Sequence, residues 1–437
     1  MNLPNQLPPE WVVRTLKDSC KLLTDGSHFS PTPRAEGRIM VNVKDIVDGN
    51  IDYAGAARIS EHDFFLLERN NCVPRREDVL FSKDGTIGRV VVFRDEEPVA
   101  VLSSLAILRA QDDLNPDFLA HVLRSHHTKR QIEILSSGSA LKRIVLQDLA
   151  KLAIPMPVVL EEQALIAAIL DTVDDAIRYT ELVIAKLKQV RAGLLHDLLT
   201  YGIDENGDLR DPVRHPEQFK ESELGLIPRE WEVSRLGTVA NVRSGVTLGR
   251  DLSGSTTVEL PYLRVFNVQD GFVDLSDVKT IKVLTHEVDK YRLEAGDVLM
   301  NEGGDFDKLG RGTVWLGQIE VCLHQNHVFR VRSDRARLSP HFLASVSSSN
   351  YGKRFFVLSS KQSTNLASIN SSQLNNFPIP IPLLAEQDAI TRVVDVIDSR
   401  LSSEAMTVSK FRLLKQGLMD DLLTGRVRVV DLLSAEE

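Results

Sequence analysis

Apolar residues at Ile166, Leu170, Val173, Ile177, Ile184, Leu187, Leu194 and Leu198 recur close to the 3.5-residue spacing of a coiled-coil seam. This pattern predicts a long helix over 159–201. A second stripe, Ile390, Val394, Ile397, Leu401, Val408, Phe411, Leu418 and Leu422, predicts another over 384–425. Each seam of about 38 residues would measure about 57 Å if wholly helical. Helices of that length need a long partner, so each is expected to pair with the other. Polar residues interrupt both seams at one offset, Thr180 and Arg191 in the first, Glu404 and Lys415 in the second. Shared defects imply a shared register or contact with another subunit. Ahead of each helix the texture changes to short β-branched runs, such as Val90-Val-Val-Phe93 and Val328-Phe-Arg-Val331, separated by turn residues. These predict mixed α/β globules of about 150 residues.

The chain contains itself twice. Pro8-Pro-Glu-Trp11 returns as Pro228-Arg-Glu-Trp231, Leu114-Asn-Pro-Asp-Phe-Leu-Ala120 as Leu338-Ser-Pro-His-Phe-Leu-Ala344, and Ile154-Pro-Met-Pro157 as Ile379-Pro-Ile-Pro382. Each Pro-x-Pro is followed by a Glu-Gln pair, Glu162-Gln163 and Glu386-Gln387, and each half closes on Leu-Leu-Thr, at Thr200 and Thr424. A period this long means duplicated domains and not a solenoid. The expected organisation is a domain over 1–158, a helix over 159–201, a linker over 202–226, a second domain over 227–383, a helix over 384–425 and a tail over 426–437. Asp204 to Asp208 superficially suggests a calcium loop, but Gly207 falls too early and no Glu occupies the twelfth place, so a surface hairpin is expected there.

Composition narrows the class. The 52 basic and 61 acidic side chains give a net charge of −9, so contact with an anionic partner must come from local basic patches. The excess acid is attributed to the helices and linker. Three widely spaced cysteines, Cys20, Cys72 and Cys322, make neither a disulfide framework nor a four-ligand zinc site. No secretory signal or membrane-length apolar run is apparent, so a cytoplasmic location is expected.

Catalytic constellations are missing where an enzyme would need them. No GxxxxGK[ST] loop is present, Gly303, Gly304, Gly310 and Gly312 have the wrong spacing for a dinucleotide cradle, and His126, His127 and His196 read as surface residues. Asn115-Pro116-Asp117-Phe118 resembles a base-clamping motif of amino-methyltransferases. Its counterpart Ser339-Pro340-His341-Phe342 reduces it to a helix start with a buried Phe. No catalytic residue and no metal ligand is expected. What recurs is a set of polar loops: Asp25-Gly-Ser-His28, Phe81-Ser-Lys-Asp-Gly-Thr86 and Ser136-Ser-Gly-Ser139 in one half, Arg243-Ser-Gly245, Asn301-Glu-Gly-Gly304, Gln325-Asn-His327 and Lys361-Gln-Ser-Thr-Asn365 in the other. Such side chains hold phosphates and read base edges, and glycines allow close backbone approach. The candidate DNA-binding residues are Ser82, Lys83, Asp84, Thr86, Ser139, Lys142 and Arg143, then Arg243, Asn301, Glu302, Asn326, Lys361, Gln362 and Asn365. The frames Asp78-Val-Leu80 and Asp297-Val-Leu299 agree between the halves while the loops after them differ, as two copies of one scaffold reading two targets would.

Taken together, the Pro-x-Glu-Trp starts, Glu77-Asp-Val-Leu-Phe-Ser-Lys-Asp-Gly-Thr-Ile-Gly88, Gly296-Asp-Val-Leu-Met-Asn-Glu-Gly-Gly304, the Pro-x-Pro and Glu-Gln signatures and the Tyr-Gly-Ile-Asp-Glu-Asn-Gly linker resemble the specificity subunits of type I restriction-modification systems. The resemblance implies an α/β (α+β) chain of two tandem target-recognition domains separated by two long helices in an antiparallel coiled coil, with a pseudo-twofold internal repeat. Each domain would bind one half of an asymmetric bipartite sequence in double-stranded DNA, with the helices as the ruler for its spacer. Two methyltransferase subunits and ATP-driven restriction subunits are the implied partners. The chain would hold no cofactor, while S-adenosylmethionine, ATP and Mg would belong to those partners. The alternatives are a specificity subunit whose single partner fuses methyltransferase and nuclease, a scaffold that does not read sequence, and an enzyme with its own activity.

Overall fold

The computed structural model describes residues 7–47, 49–135, 143–304, 309–310, 312–362 and 367–430. They fall into two compact units, Met1–Glu181 with Met406–Glu437, and Leu182–Ala405. Each unit therefore contains one globular half of the chain and a portion of each long helix.

Both units are built on one plan. The first uses β1 (Trp11–Thr15), β2 (Cys20–Asp25), β3 (Val79–Ser82), β4 (Val90–Val92), β5 (Leu105–Ala110), α1 (Pro116–Arg124), β6 (Ala153–Pro157) and α2 (Leu160–Tyr201). The second repeats them as β7 (Glu232–Arg235), β8 (Ala240–Ser244), β9 (Val298–Asn301), β10 (Gly312–Val314), β11 (Val328–Ser333), α3 (Pro340–Ser348), β12 (Pro378–Ile381) and α4 (Leu384–Leu422). The central sheets run β2-β5-β3-β4 and β8-β11-β9-β10, antiparallel throughout. Among the described residues, parallel pairing occurs at Ala100–Val101 and Leu323–His324 in separate small sheets and at the single bridges Ser27–Leu102 and Val246–Gln325 that follow them. The class is accordingly α+β. Val79, Phe81, Ala106 and Leu108 face one core in the first unit, as Val298, Met300, Phe329 and Val331 do in the second, following the two-residue alternation of strands.

The repeated motifs are the joints of this plan. Each Pro-x-Pro segment is a strand of a two-stranded pair, β6 against β1 and β12 against β7, where missing proline N–H groups leave no central ladder broken. Pro116 and Pro340 stand in the first turn of α1 and α3. Asn115 caps α1 by accepting from the N–H groups of Asp117 and Phe118, whereas the Ser339 side chain makes no such bond. The buried Asp78 takes Arg109 in a two-point ion pair at 2.9 and 2.8 Å, and Asp297 takes Arg332 at 2.7 and 2.9 Å. The shared Asp-Val-Leu frame thus ties adjacent strands together.

Glu162, Gln163 and Gln387 are wholly buried, and the Glu386 side chain is 10% exposed. Gln163 accepts from the Asn115 N–H and donates to the carbonyls of Asp113 and Pro157. Gln387 likewise accepts from the Ser339 N–H and donates to Arg337 and Pro382. Glu162 receives Arg428 at 2.6 and 2.8 Å, and Glu386 receives Arg210 at 2.5 and 3.4 Å together with Trp231 Nε1 at 3.0 Å. Each arginine follows the end of the opposite helix. The 202–226 segment that delivers Arg210 is an Asx turn on Asp204 followed by a hairpin, Phe219–Ser222 against Gly225–Pro228.

Within each unit the helix portions run antiparallel. Asp174 meets Lys415 and Glu181 meets Arg412 in the first, while Arg191 meets Asp398 in the second. Both seam-breaking cations, Arg191 and Lys415, therefore sit in interhelical ion pairs at the same repeat offset. Thr180 instead bonds its own helix at the Ala176 carbonyl, and Glu404 pairs with Arg400 one turn away. Ile166, Leu170, Leu195, Leu198, Ile390 and Leu422 are buried in the unit cores, whereas Ile177, Ile184, Leu187, Ile397, Leu401 and Phe411 are only half-buried.

Truncating Glu386→Ala leaves the largely buried Arg210 guanidinium and the Nε1 of the fully buried Trp231 without their carboxylate. A loss of about 3–5 kcal/mol is expected, read as a lowered urea midpoint for the second unit. Adding Arg210→Met should restore part of it, and a double variant no more stable than the single one would contradict this account.

Candidate nucleic-acid interface

Strand register gathers the polar loops at one end of each sheet. In the first unit Asp25, ending β2, faces Ala106, and Ser82, ending β3, faces Leu105. In the second, Ser244 faces Phe329 and Asn301 faces Val328. The turn after β2 and after β8 needs glycine: a Cβ on Gly26 would lie 2.3 Å from the Leu102 carbonyl oxygen, and one on Gly245 1.9 Å from that of His324. A third segment closes each edge. The Ile144 N–H donates to Lys83 O at 3.0 Å, and the Ile369 N–H donates to Glu302 O at 2.8 Å. Lys83 and Glu302 therefore occupy one position of a common frame.

The candidate residues separate into scaffold and surface. Ser82 is fully buried, donating to Thr86 O at 2.6 Å and accepting from the Arg89 N–H at 2.7 Å. Asn301 is equally buried, its Nδ2 donating to Val268 O at 3.1 Å while its Oδ1 has no partner among the described residues. Lys83 is also buried, with its ammonium against the Asp25 carboxylate, which His28 Nε2 approaches to 3.3 Å. These three hold the sheet end together rather than projecting from it. Asp84 and Arg143 form a looser, solvent-facing pair at 3.6 Å, and Thr86 is exposed.

In the second unit, Glu302 Oε2 lies 2.8 Å from His327 Nδ1, and the Glu302 N–H donates to His327 O at 2.9 Å. Arg243 and Lys361 are exposed, and Asn326 is half-buried with its N–H bonded to Val246 O. Lys361–Gln362 pairs with Ala367–Ser368, which in turn pairs with Gly303–Gly304. Three of the second unit's candidates, Glu302, Asn326 and Lys361, thus border one loop cluster, while Arg243 lies on β8 opposite Arg330 of β11. Ser139, Lys142 and Asn365 lie outside the described residues, as does the Gln362 side chain.

Two projecting side chains were missed from the sequence. Phe29 is 62% exposed and Leu248 is 49% exposed, each three residues beyond its obligatory glycine. Ser27 fixes the first loop, donating its hydroxyl to Phe29 O at 2.6 Å and accepting from the Phe29 N–H at 3.1 Å. The available signal was a large apolar residue at one repeat position inside an otherwise polar loop. His127, read as a surface residue, is half-buried, and burial lowers its pKa.

Among the described residues, His121, Asp171 and Asp174 form the one cluster with donor atoms close enough to share a cation. His121 Nε2 is 2.8 Å from Asp171 Oδ1, and the Lys415 ammonium already lies against Asp174 at 2.5 and 2.7 Å. The hydrogen bond from His121 depresses the Asp171 pKa. The cluster is an ion-paired joint between α1 and the helix pair. All three cysteines are free and buried, and among the described residues no helix is long and apolar enough to cross a membrane.

The fold defines a class: a tandem α+β protein that presents a loop cluster from the same sheet end of each repeat. Residues 8–189 and 228–408 each match the type I restriction modification DNA specificity domain, and the chain belongs to that family. It is 27% identical over 213 residues to a type I restriction enzyme MjaX specificity subunit of Methanocaldococcus jannaschii, spanning 48% of this chain and about half, 49%, of that relative. It is 25% identical over 382 residues to the MjaVIII specificity subunit of the same organism, covering 84% of this chain and 83% of that one. Its fold is similar to that of the S subunit of a type I restriction-modification system from M. genitalium, with 17% identity, a TM-score of 0.54, and coverage of 97% and 98% of the two chains.

His324, beneath the Gln325–His327 loop, is buried with Nδ1 2.7 Å from Val328 O, and burial lowers its pKa from 6.5 to about 4. As pH falls from about 6.5 to about 4, the unfolded chain takes up a proton that the folded one refuses, so stability declines across that window. The full effect is on the order of 3 kcal/mol. His324→Gln should flatten the pH dependence of the unfolding midpoint in this range, and an unchanged slope would refute the assignment.

Proposed function

We propose that this chain is the DNA-specificity subunit of a type I restriction-modification complex, each unit binding one half of an asymmetric two-part target. One observation carries the reading: the same buried frame ends each sheet, yet the side chains mounted on it differ between the units, Lys83 against Glu302 and His28 against Thr247. A repeat retained for packing alone has no need of such divergence at its loops. The exposed Arg143, Arg243 and Lys361 supply donors for phosphates and base edges, and Phe29 and Leu248 offer apolar contact to thymine methyls or an unstacked step.

Helices of 42 and 39 residues would measure about 60 Å each. Paired as one antiparallel coiled coil, they could set two DNA-facing domains a helical turn apart, about 34–36 Å, so that spacer length is written into chain length. Apolar side chains are exposed along them, Tyr179, Met406, Leu413 and Leu414 in the first unit and Leu182 and Val190 in the second, as docking of two methyltransferase subunits and the restriction subunits would require. Catalysis, S-adenosylmethionine, ATP and Mg belong in this reading to those partners, in the cytoplasm.

Co-expression with the neighbouring methyltransferase subunit, followed by genome-wide mapping of adenine methylation, tests the reading directly. A two-part motif with a fixed gap is expected. A continuous motif, or none from an intact complex, would overturn it. Arg143→Ala should relax one base position by about 1–3 kcal/mol if it reads a base, or weaken all sequences alike if it holds a phosphate. An unchanged motif and affinity would remove Arg143 from the interface. Deleting one heptad from α2 should shift the preferred gap, and the same gap in a folded variant would count against the ruler.

A further inference from the structure

We propose that Glu302, oriented by His327, reads an exocyclic amino group, cytosine N4 or adenine N6, in the half-site bound by the second unit. The inference rests on the specificity-subunit reading and assigns chemistry to one of its residues. Glu302 is held on three sides: its N–H donates to His327 O at 2.9 Å, its carbonyl accepts from the Ile369 N–H at 2.8 Å, and its Oε2 lies 2.8 Å from His327 Nδ1. Behind it, Gly303 packs so closely that a Cβ would lie 2.7 Å from the Ala367 carbonyl oxygen. The carboxylate is nevertheless 27% exposed and its histidine 57%. It is therefore a prepositioned acceptor at the mouth of the loop cluster, with its ordering cost already met by the fold.

A carboxylate is a poor choice for facing phosphates, since like charges repel. It can only accept hydrogen bonds, and the major-groove donors are cytosine N4 and adenine N6. Exposed Lys361, on a strand that shares Ala367–Ser368 with Gly303–Gly304, can offset the repulsion. The matching position in the first unit is Lys83, buried against Asp25, so one frame position carries a partly exposed acceptor in the second unit and an internal ion pair in the first.

The test uses the complex with its methyltransferase subunit and maps methylated motifs for wild type, Glu302→Leu and His327→Gln. Glu302→Leu replaces the carboxylate by an apolar side chain of similar size that can accept no hydrogen bond, whereas glutamine could still read adenine N6. The Glu302→Leu change is expected to lower discrimination at a single base position roughly 5- to 150-fold, in the half-site that Arg143→Ala leaves untouched. His327→Gln, which loosens the carboxylate without removing it, should weaken that same position less. An A·T pair there identifies adenine N6, and a G·C pair cytosine N4. An unchanged motif in both variants, or equal loss across all sequences, overturns the assignment of Glu302. A wild-type complex that yields no two-part motif overturns the specificity reading itself, a separate outcome.

Discussion

Each unit is closed by a carboxylate, Glu162 wholly buried and Glu386 nearly so, that takes an arginine from beyond the far end of the other long helix. Glu162 and Glu386 stand in the first turns of α2 and α4, and their arginines, Arg428 and Arg210, arrive from beyond the ends of α4 and α2. Burying such charges costs several kcal/mol unless geometry and further hydrogen bonds are both good. The contacts are therefore weak evidence for net stability and strong evidence for specified register. A slipped helix would leave a bare carboxylate at one end and a bare guanidinium at the other. The turn after each helix is equally constrained. Gly202 has φ +65°, with Glu386, Arg210 and Trp231 all crowding the space a Cβ would need, and Gly425 has φ +70° against Pro8 and Trp11. Joining the Pro-x-Glu-Trp start of one half to the helix end of the other is what makes both signatures recur together.

The same logic extends along the helices. Arg191 with Asp398 and Lys415 with Asp174 are one interaction made twice, with each partner displaced by the repeat. A polar pair inside an apolar seam lowers stability relative to a leucine pair but penalises every other alignment, which is the best-attested use of such groups in coiled coils. Two helices also leave much of each other's surface uncovered, so their middle portions are half-buried while their ends sink into the unit cores. Apolar burial along the helices is greatest where they join the unit cores.

How much of this was legible depended on whether neighbours in sequence or in space made the pattern. Periodicity and self-similarity marked the helices, the duplicated α+β plan and the caps at Asn115 and Pro116. The seam defects at Arg191 and Lys415 were visible as defects, yet their acidic partners lie more than two hundred residues away and no local signal names them. The loop candidates were found as segments and only partly as residues. Ser82 and Asn301 end buried strands, where a polar side chain satisfies the turn it begins, and a serine or asparagine aimed outward has the same sequence signature. Lys83 looked like a phosphate ligand because its ion partner Asp25 is contributed by another strand. Phe29 and Leu248 escaped notice because an apolar residue in a loop is ordinarily taken as core.

The acidic balance fits the same division of labour. Residues 1–158 and 227–383 carry 38 Lys and Arg against 37 Asp and Glu, whereas the helices, linker and tail carry 14 against 24. The net −9 therefore belongs to the frame, and the loop-bearing segments are close to neutral. A near-neutral module can discriminate base edges without the sequence-blind affinity that a strongly basic face confers through counterion release. It cannot supply much of that affinity itself. On the reading proposed above, much of the grip on the phosphates would come from partner subunits. Address and affinity would thus reside in different chains, and a change of loops could retarget the complex without altering how tightly it holds DNA in general.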